Sequence, residues 1–300
     1  MTTCQQIPGL SDIAADYDAF ILDLWGVLHD GVRAYDHAVS TLQALKQTGK
    51  QVCLLSNVPR REFATVDRLN SLGLLPELYD HLVTSGEATH QALKQPADDW
   101  HRRLGTAAYA LSPREEAEEL VEGTGKSLAD DPADADFMLA IGIGDKSETL
   151  EQYQPALDAG LAKGLPLLCA NPDLIVNAGG DRLAICAGSF ARYYAEQGGD
   201  VAYHGKPHAP IYQTCRDRLG LGQQARILAV GDSMATDVTG AKRAGLDACL
   251  VTSGIHLRDL AESAGQPAVP ERLSRLIDRY DHTPDYAVAL CQWAPADRAA

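Results

Sequence analysis

Short apolar runs, each closed by a turn and followed by a stretch of helical period, recur along this chain. Residues 19–24 read as a strand. Asp36 then caps a helix running to about residue 48, and Gly49 stops it. Residues 52–55 form the next strand, Pro59 opens a helix that Gly73 ends, and Leu82 and Val83 make a third short strand. The pattern returns late in the chain: a strand over 227–230, a helix around 235–244 and a strand over 248–251. Apolar runs without alternation imply strands buried on both faces, the mark of a parallel sheet covered by helices. The expected fold class is α/β, a doubly wound parallel-sheet (Rossmann-like) core.

The middle of the chain carries βα units of its own. Candidate strands span 106–111, 137–141, 165–169 and 183–187, while the acidic stretch 123–136, with its Gly and Pro, reads as an exposed connection. The expected organisation is therefore a core of residues 1–83 and 203–300, with 84–202 inserted as a second α/β domain. No internal repeat or low-complexity segment interrupts it.

Composition narrows the function. The 300 residues are 45% hydrophobic, ample for a sizeable core. A formal charge of −15 disfavours a nucleic-acid partner, which is gripped by clustered Lys and Arg. An anionic substrate would have to be drawn in by a local positive site. The seven cysteines are scattered, form no C-x-x-C pair and often sit in apolar runs, so reduced core thiols are expected. The first residues lack a basic segment and an apolar core, and no apolar stretch approaches the ~20 residues of a membrane span. A cytoplasmic protein without membrane partners is expected, with monomer and homodimer both open.

Four clusters carry candidate chemistry, three of them directly after apolar strand runs, where open α/β sheets bind ligands. They are Asp23-Leu24-Trp25-Gly26-Val27-Leu28, Leu54-Leu55-Ser56-Asn57, Gly205-Lys206-Pro207 and Gly231-Asp232-Ser233-Met234-Ala235-Thr236-Asp237. Singly each has a plain reading: an Asp after a strand caps a turn, Ser56 caps a helix, and Lys206 is a surface charge. Together they suit phosphoryl transfer. A carboxylate can attack phosphorus and split hydrolysis into two steps. A hard cation must then screen nucleophile from phosphate, and Asp232 and Asp237 are suitable magnesium ligands. Lys206 offers a point charge, and Ser56 with the following N–H groups offers donors to the phosphate oxygens.

In order and type these clusters resemble the four motifs of the haloacid-dehalogenase (HAD) superfamily. The insert resembles that superfamily's class IIA cap, as in pyridoxal-phosphate and nitrophenyl-phosphate phosphatases. Cys169-Ala170-Asn171-Pro172-Asp173 and Ala187-Gly188-Ser189 resemble segments of such caps. The resemblance implies a phosphomonoesterase for a small phosphorylated metabolite, such as a sugar phosphate or pyridoxal phosphate, working through an aspartyl-phosphate at Asp23. It implies Mg2+ held by Asp23, the backbone carbonyl of Trp25 and Asp232, with Asp237 as a further ligand or support. Ser56 and Asn57 would bind phosphate, and Lys206 would stabilise nucleophile and phosphate.

One position departs from the pattern. Family phosphatases usually carry a second Asp two residues after the nucleophile to protonate the leaving alcohol, and here Trp25 stands there. An indole cannot do that job. His29 is a substitute to test, though a loop histidine of no catalytic role is the simpler reading. The departure keeps two alternatives open: a catalytically weak phospho-ligand-binding or regulatory protein, and a dehalogenase-like hydrolase. The Asp232/Asp237 pair argues against the latter, which needs no metal. Two further motifs are decoys. Gly123-Thr124-Gly125-Lys126-Ser127 ends like a phosphate-binding loop but has Leu120 where Gly is needed, and Gly142-Ile143-Gly144 has Ser147 where a dinucleotide fingerprint needs Gly.

Overall fold

A computed structural model of the chain describes residues 4–177 and 183–294. Among these, the strands of the first part are β1 (Gln5–Ile7), β2 (Ala19–Asp23), β3 (Gln51–Ser56) and β4 (His81–Thr84). Then come β5 (Ala107–Leu111), β6 (Ser127–Ala129), β7 (Phe137–Ala140), β8 (Leu167–Cys169), β9 (Ile175–Asn177), β10 (Leu183–Ile185) and β11 (Val201–Tyr203). The chain closes with β12 (Ile227–Gly231), β13 (Asp247–Val251) and β14 (Tyr286–Val288).

Two compact units result. One takes in the chain up to Ser56, Thr65–Val83 and the chain from Pro207 on; the other takes in Asn57–Ala64 and Thr84–Lys206. The sequence reading grouped 57–64 with the first unit and turned back at 203. The segment goes with the second unit for an electrostatic reason: Arg60 pairs with Glu119, and Arg61 reaches Glu87 at 2.6 Å.

The first unit is built on one sheet in the order β1-β14-β13-β12-β2-β3-β4, parallel from β1 to β3. Every residue of β2 and of β12 is buried, so this sheet is covered on both faces, as the uninterrupted apolar runs implied. Phe20, Leu22, Leu54, Leu228 and Val230 pack with Leu42 and Leu45 of the helix Ala38–Gln47 in one core cluster. That helix starts after His37 with no side-chain cap, one residue later than Asp36 suggested, and Gly49 follows it at φ 75°. The next helix is Glu62–Ser71, beginning after Pro59 because Arg60 and Arg61 are held in their ion pairs.

The second unit has a parallel sheet in the order β11-β8-β7-β5-β6 and a separate antiparallel hairpin of β9 and β10. Here strand periodicity divides the core. Met138 and Ala140 join Leu167, Phe190 and Tyr194 in one cluster, while Phe137, Leu139, Ile141 and Leu168 join Leu93 and Leu120 in another. The expected strand over 183–187 is thus real but leaves the main sheet, and the expected connection 123–136 contains the edge strand β6. None of the seven cysteines forms a disulfide. Among the described residues no helix is long and apolar enough to cross a membrane.

Candidate active site

Register brings the acidic residues together. In the first unit Asp23 ends β2 opposite Leu55 of β3, and Leu22 lies opposite Val230 of β12. Ser56 therefore ends one neighbouring strand, and Asp232 follows directly after the other. Asp237 reaches the same place through a widened helical turn. The N–H of Val238 donates to the Ser233 carbonyl at 3.1 Å, five residues back, so Met234–Val238 is wound as a π-helix rather than the expected α-helix. The carboxylate returns to the turn: Ser233 N–H donates to Asp237 Oδ2 at 3.0 Å.

Asp23, Asp232 and Asp237 are all buried and offer carboxylate oxygens within 4.8 Å of one another. Three like charges in so small a buried volume oppose each other unless a cation lies among them. An all-oxygen donor set of this kind suits a hard divalent ion such as magnesium. The backbone is shaped to admit Asp232. A Cβ on Gly26 would fall 2.0 Å from its Oδ2, and one on Gly254 would fall 2.1 Å from the same atom. Gly26 also has φ 79°, which disfavours any side chain there. The Ile255 N–H donates to Asp232 Oδ2 at 2.8 Å and fixes the carboxylate's direction.

Comparison with known proteins gives the family. The chain matches the family profile described as haloacid dehalogenase-like hydrolase over residues 20–125, and one described as HAD-hydrolase-like over 203–276. A haloacid dehalogenase-like hydrolase from Brucella suis 1330 is 31% identical, with a TM-score of 0.77 over 95% of this chain and 99% of that one. The chain belongs to the haloacid dehalogenase-like hydrolase family. It is also similar to chronophin of Rattus norvegicus, 27% identical over 290 residues, 89% of this chain and 88% of that protein. Glycerol-3-phosphate phosphatase of Gallus gallus is 26% identical over 310 residues, 96% and 97% of the two chains. This protein is accordingly an enzyme, a hydrolase of the family to which these phosphatases belong.

After Asp23, Trp25 stands where the resemblance implies an Asp. The Trp25 indole is 38% exposed and lies edge-on to His29, with ring centroids 5.7 Å apart. It also covers Gly31, where a Cβ would fall 2.1 Å from the indole. His29 is buried, and its Nδ1 accepts the Gly31 N–H at 3.0 Å, so the neutral ring carries its proton on Nε2. Burial, and then the Arg68 guanidinium, lower its pKa from 6.5 to about 4. A ring held below its ordinary pKa, with one nitrogen committed to backbone, is poorly suited to donate a proton.

Asn57 and Lys206 are brought together in the second unit. Asn57 Oδ1 accepts the Lys206 N–H at 2.7 Å, and its Nδ2 donates to the Lys206 carbonyl at 3.0 Å and to Asp173 Oδ1 at 2.9 Å. The side chain expected to bind phosphate is thus engaged in holding the backbone on both sides of Lys206. Gly205 permits the approach: at φ 114°, a Cβ there would fall 2.5 Å from Asn57 Oδ1.

Sequence reasoning missed the loop after β13. Besides Ile255, it supplies His256, whose Nε2 accepts the Met234 N–H at 3.2 Å, with a pKa lowered mainly by burial. The signal was present, since Thr252-Ser253-Gly254 follows an apolar run as the other clusters do. The decoys stay structural. Lys126 Nζ donates to the Leu104 and Gly105 carbonyls at 3.1 and 2.8 Å, and Gly144 N–H to Glu148 Oε2 at 2.8 Å in a turn before the helix Leu150–Lys163.

Proposed function

We propose that this enzyme is a magnesium-dependent phosphomonoesterase acting on small phosphorylated metabolites. The observation that carries this reading is the buried trio Asp23, Asp232 and Asp237 at adjoining strand ends, within 4.8 Å of one another. Asp23 would attack phosphorus and form an aspartyl-phosphate, the P–O bond to the alcohol breaking as the new one forms; water then releases phosphate. Mg2+, held by Asp23, the Trp25 carbonyl and Asp232, with Asp237 in support, would supply charge screening between nucleophile and phosphate. Ser56 and the Asn57 N–H would donate to the phosphate oxygens, and Lys206 would supply positive charge. Residues 84–202 would select the substrate in the manner of a cap.

A second reading draws on Trp25. With no carboxyl at that position and His29 engaged with Gly31, the leaving alcohol lacks an obvious protein donor, which favours substrates with stable leaving groups or a weakly catalytic phospho-ligand protein. Phosphate release should be measured from nitrophenyl, sugar and alkyl phosphates, with magnesium, with EDTA and with Asp23→Asn. Release that needs magnesium and Asp23 supports the proposal. Release indifferent to both removes it, and tight phosphate binding without turnover selects the second reading.

A further inference from the structure

Two histidines of the second unit meet nitrogen to nitrogen. His101 lies on the short helix Asp99–Arg102, and His204 directly follows β11. Their Nε2 atoms are 3.0 Å apart and their ring centroids 5.0 Å apart. The opposite nitrogen of each ring decides what these atoms carry. His101 Nδ1 lies 2.8 Å from both oxygens of Asp98. An ionised carboxylate only accepts, so this nitrogen bears a proton. His204 Nδ1 lies 3.0 Å from Thr89 Oγ1, whose single hydrogen is donated to the Ser85 carbonyl at 2.8 Å. Thr89 therefore accepts here, and His204 Nδ1 also bears a proton. With both Nδ1 atoms so protonated, the two Nε2 atoms face one another across a gap that takes either one shared proton or one cation. That arrangement calls for a positive charge between them.

We propose that His101 and His204 form a binding site for a divalent transition metal of the zinc class. Two imidazole nitrogens on a tetrahedral zinc, each at ~2.0–2.1 Å, stand about 3.3 Å apart. The pair would need to open by only about 0.3 Å. The outer partners match those of metal-bound histidines, which usually donate their second N–H to a carboxylate or another fixed acceptor. Asp98 also accepts the His101 backbone N–H at 2.9 Å, and Trp100 packs edge-on against the His101 ring while donating to Asp200 at 2.9 Å. Water completes the coordination. Magnesium prefers oxygen ligands and does not compete, so the two sites sort metals by ligand type. Because His204 stands two residues before Lys206, a bound ion would fasten the His101 helix to the turn that carries Lys206.

Calorimetric titration with Zn2+ in excess magnesium tests this on the intact protein. The expected result is one Zn2+ per chain in wild type and at least ~10-fold weaker binding in His101→Asn, which leaves every carboxylate of the trio unchanged. Equal affinity in the two proteins overturns the site. Cu2+-loaded wild type gives a readout that needs no variant: electron paramagnetic resonance should show coupling to two imidazole nitrogens, and coupling to one or none overturns the proposal. The competing occupant is a proton. A long-range 15N–1H spectrum that still shows an Nε2–H between the rings at saturating Zn2+ would overturn it as well.

Discussion

The seven-stranded and five-stranded units follow one architectural rule and load it differently. Both centre on parallel strands buried along their length, and both send loops out from the carboxyl ends of those strands. In the second unit, acidic side chains meet bases: Glu87 binds Arg61, Glu119 binds Arg60, and Asp200 binds Arg103. The first unit has such pairs too, Asp80 with Lys46 and Asp285 with Lys242, but in addition Asp23, Asp232 and Asp237 converge on each other. Paired charges hold a scaffold together, whereas converging like charges make a place for a cation and an electrophile. The difference separates architecture from chemistry within a single chain.

The comparison breaks most sharply at Asp23, the proposed nucleophile. Asp23→Asn should lower phosphate release by at least ~10⁴-fold with thermal stability little changed, because it removes a bond-forming group. Its counterpart in the second unit should do the reverse. Glu87→Gln leaves the largely buried Arg61 guanidinium without its carboxylate, and a denaturant melt should lose about 3 kcal/mol.

His29 gives a pH signature to the first unit. Its folded pKa, about 4, lies below the unfolded value of 6.5, so the unfolded chain takes up the proton first. The stability it contributes is complete above pH 6.5 and falls as the pH drops towards 4, by about 3 kcal/mol at most. Urea melts of wild type and His29→Gln across that window should converge as the pH falls. Parallel curves would show that His29 does not titrate in this way.

Trp25→Asp places a carboxyl where the family resemblance implies one. It should raise turnover of alkyl phosphates by about 10²-fold, or about 2.7 kcal/mol, and leave nitrophenyl phosphate nearly unchanged. An ordinary wild-type rate on an alkyl phosphate would mean that another group donates the proton. The smallest effect is on metal affinity: Asp232→Asn should weaken magnesium binding at least tenfold, about 1.4 kcal/mol by calorimetry.

Much of the fold was legible because burial on both faces leaves a plain mark in sequence. The strands at 19–23, 51–56, 227–231 and 247–251 stand out for that reason. β1, β6, β9, β11 and β14 were missed: each is three residues long, too short to show a period. At the candidate site, the acidic residues were readable from their places after strands. The engagement of Asn57 with the Lys206 backbone was not, because it joins residues 149 positions apart.

The sequence by itself determined which residue types stand at strand ends, since an apolar run closed by Asp, Ser or Gly is a local pattern. It also marked the departure at Trp25 before any coordinates. Only the tertiary structure decided where those side chains converge and what each is engaged with. Strand register placed Asp232 near Asp23, and a π-helical turn brought Asp237 back to them. A backbone N–H from Gly31 committed His29, and the carboxylate of Asp98 and the hydroxyl of Thr89 set the tautomers of His101 and His204. Protonation and direction depend on partners brought near by folding, and spacing along a chain holds no record of them.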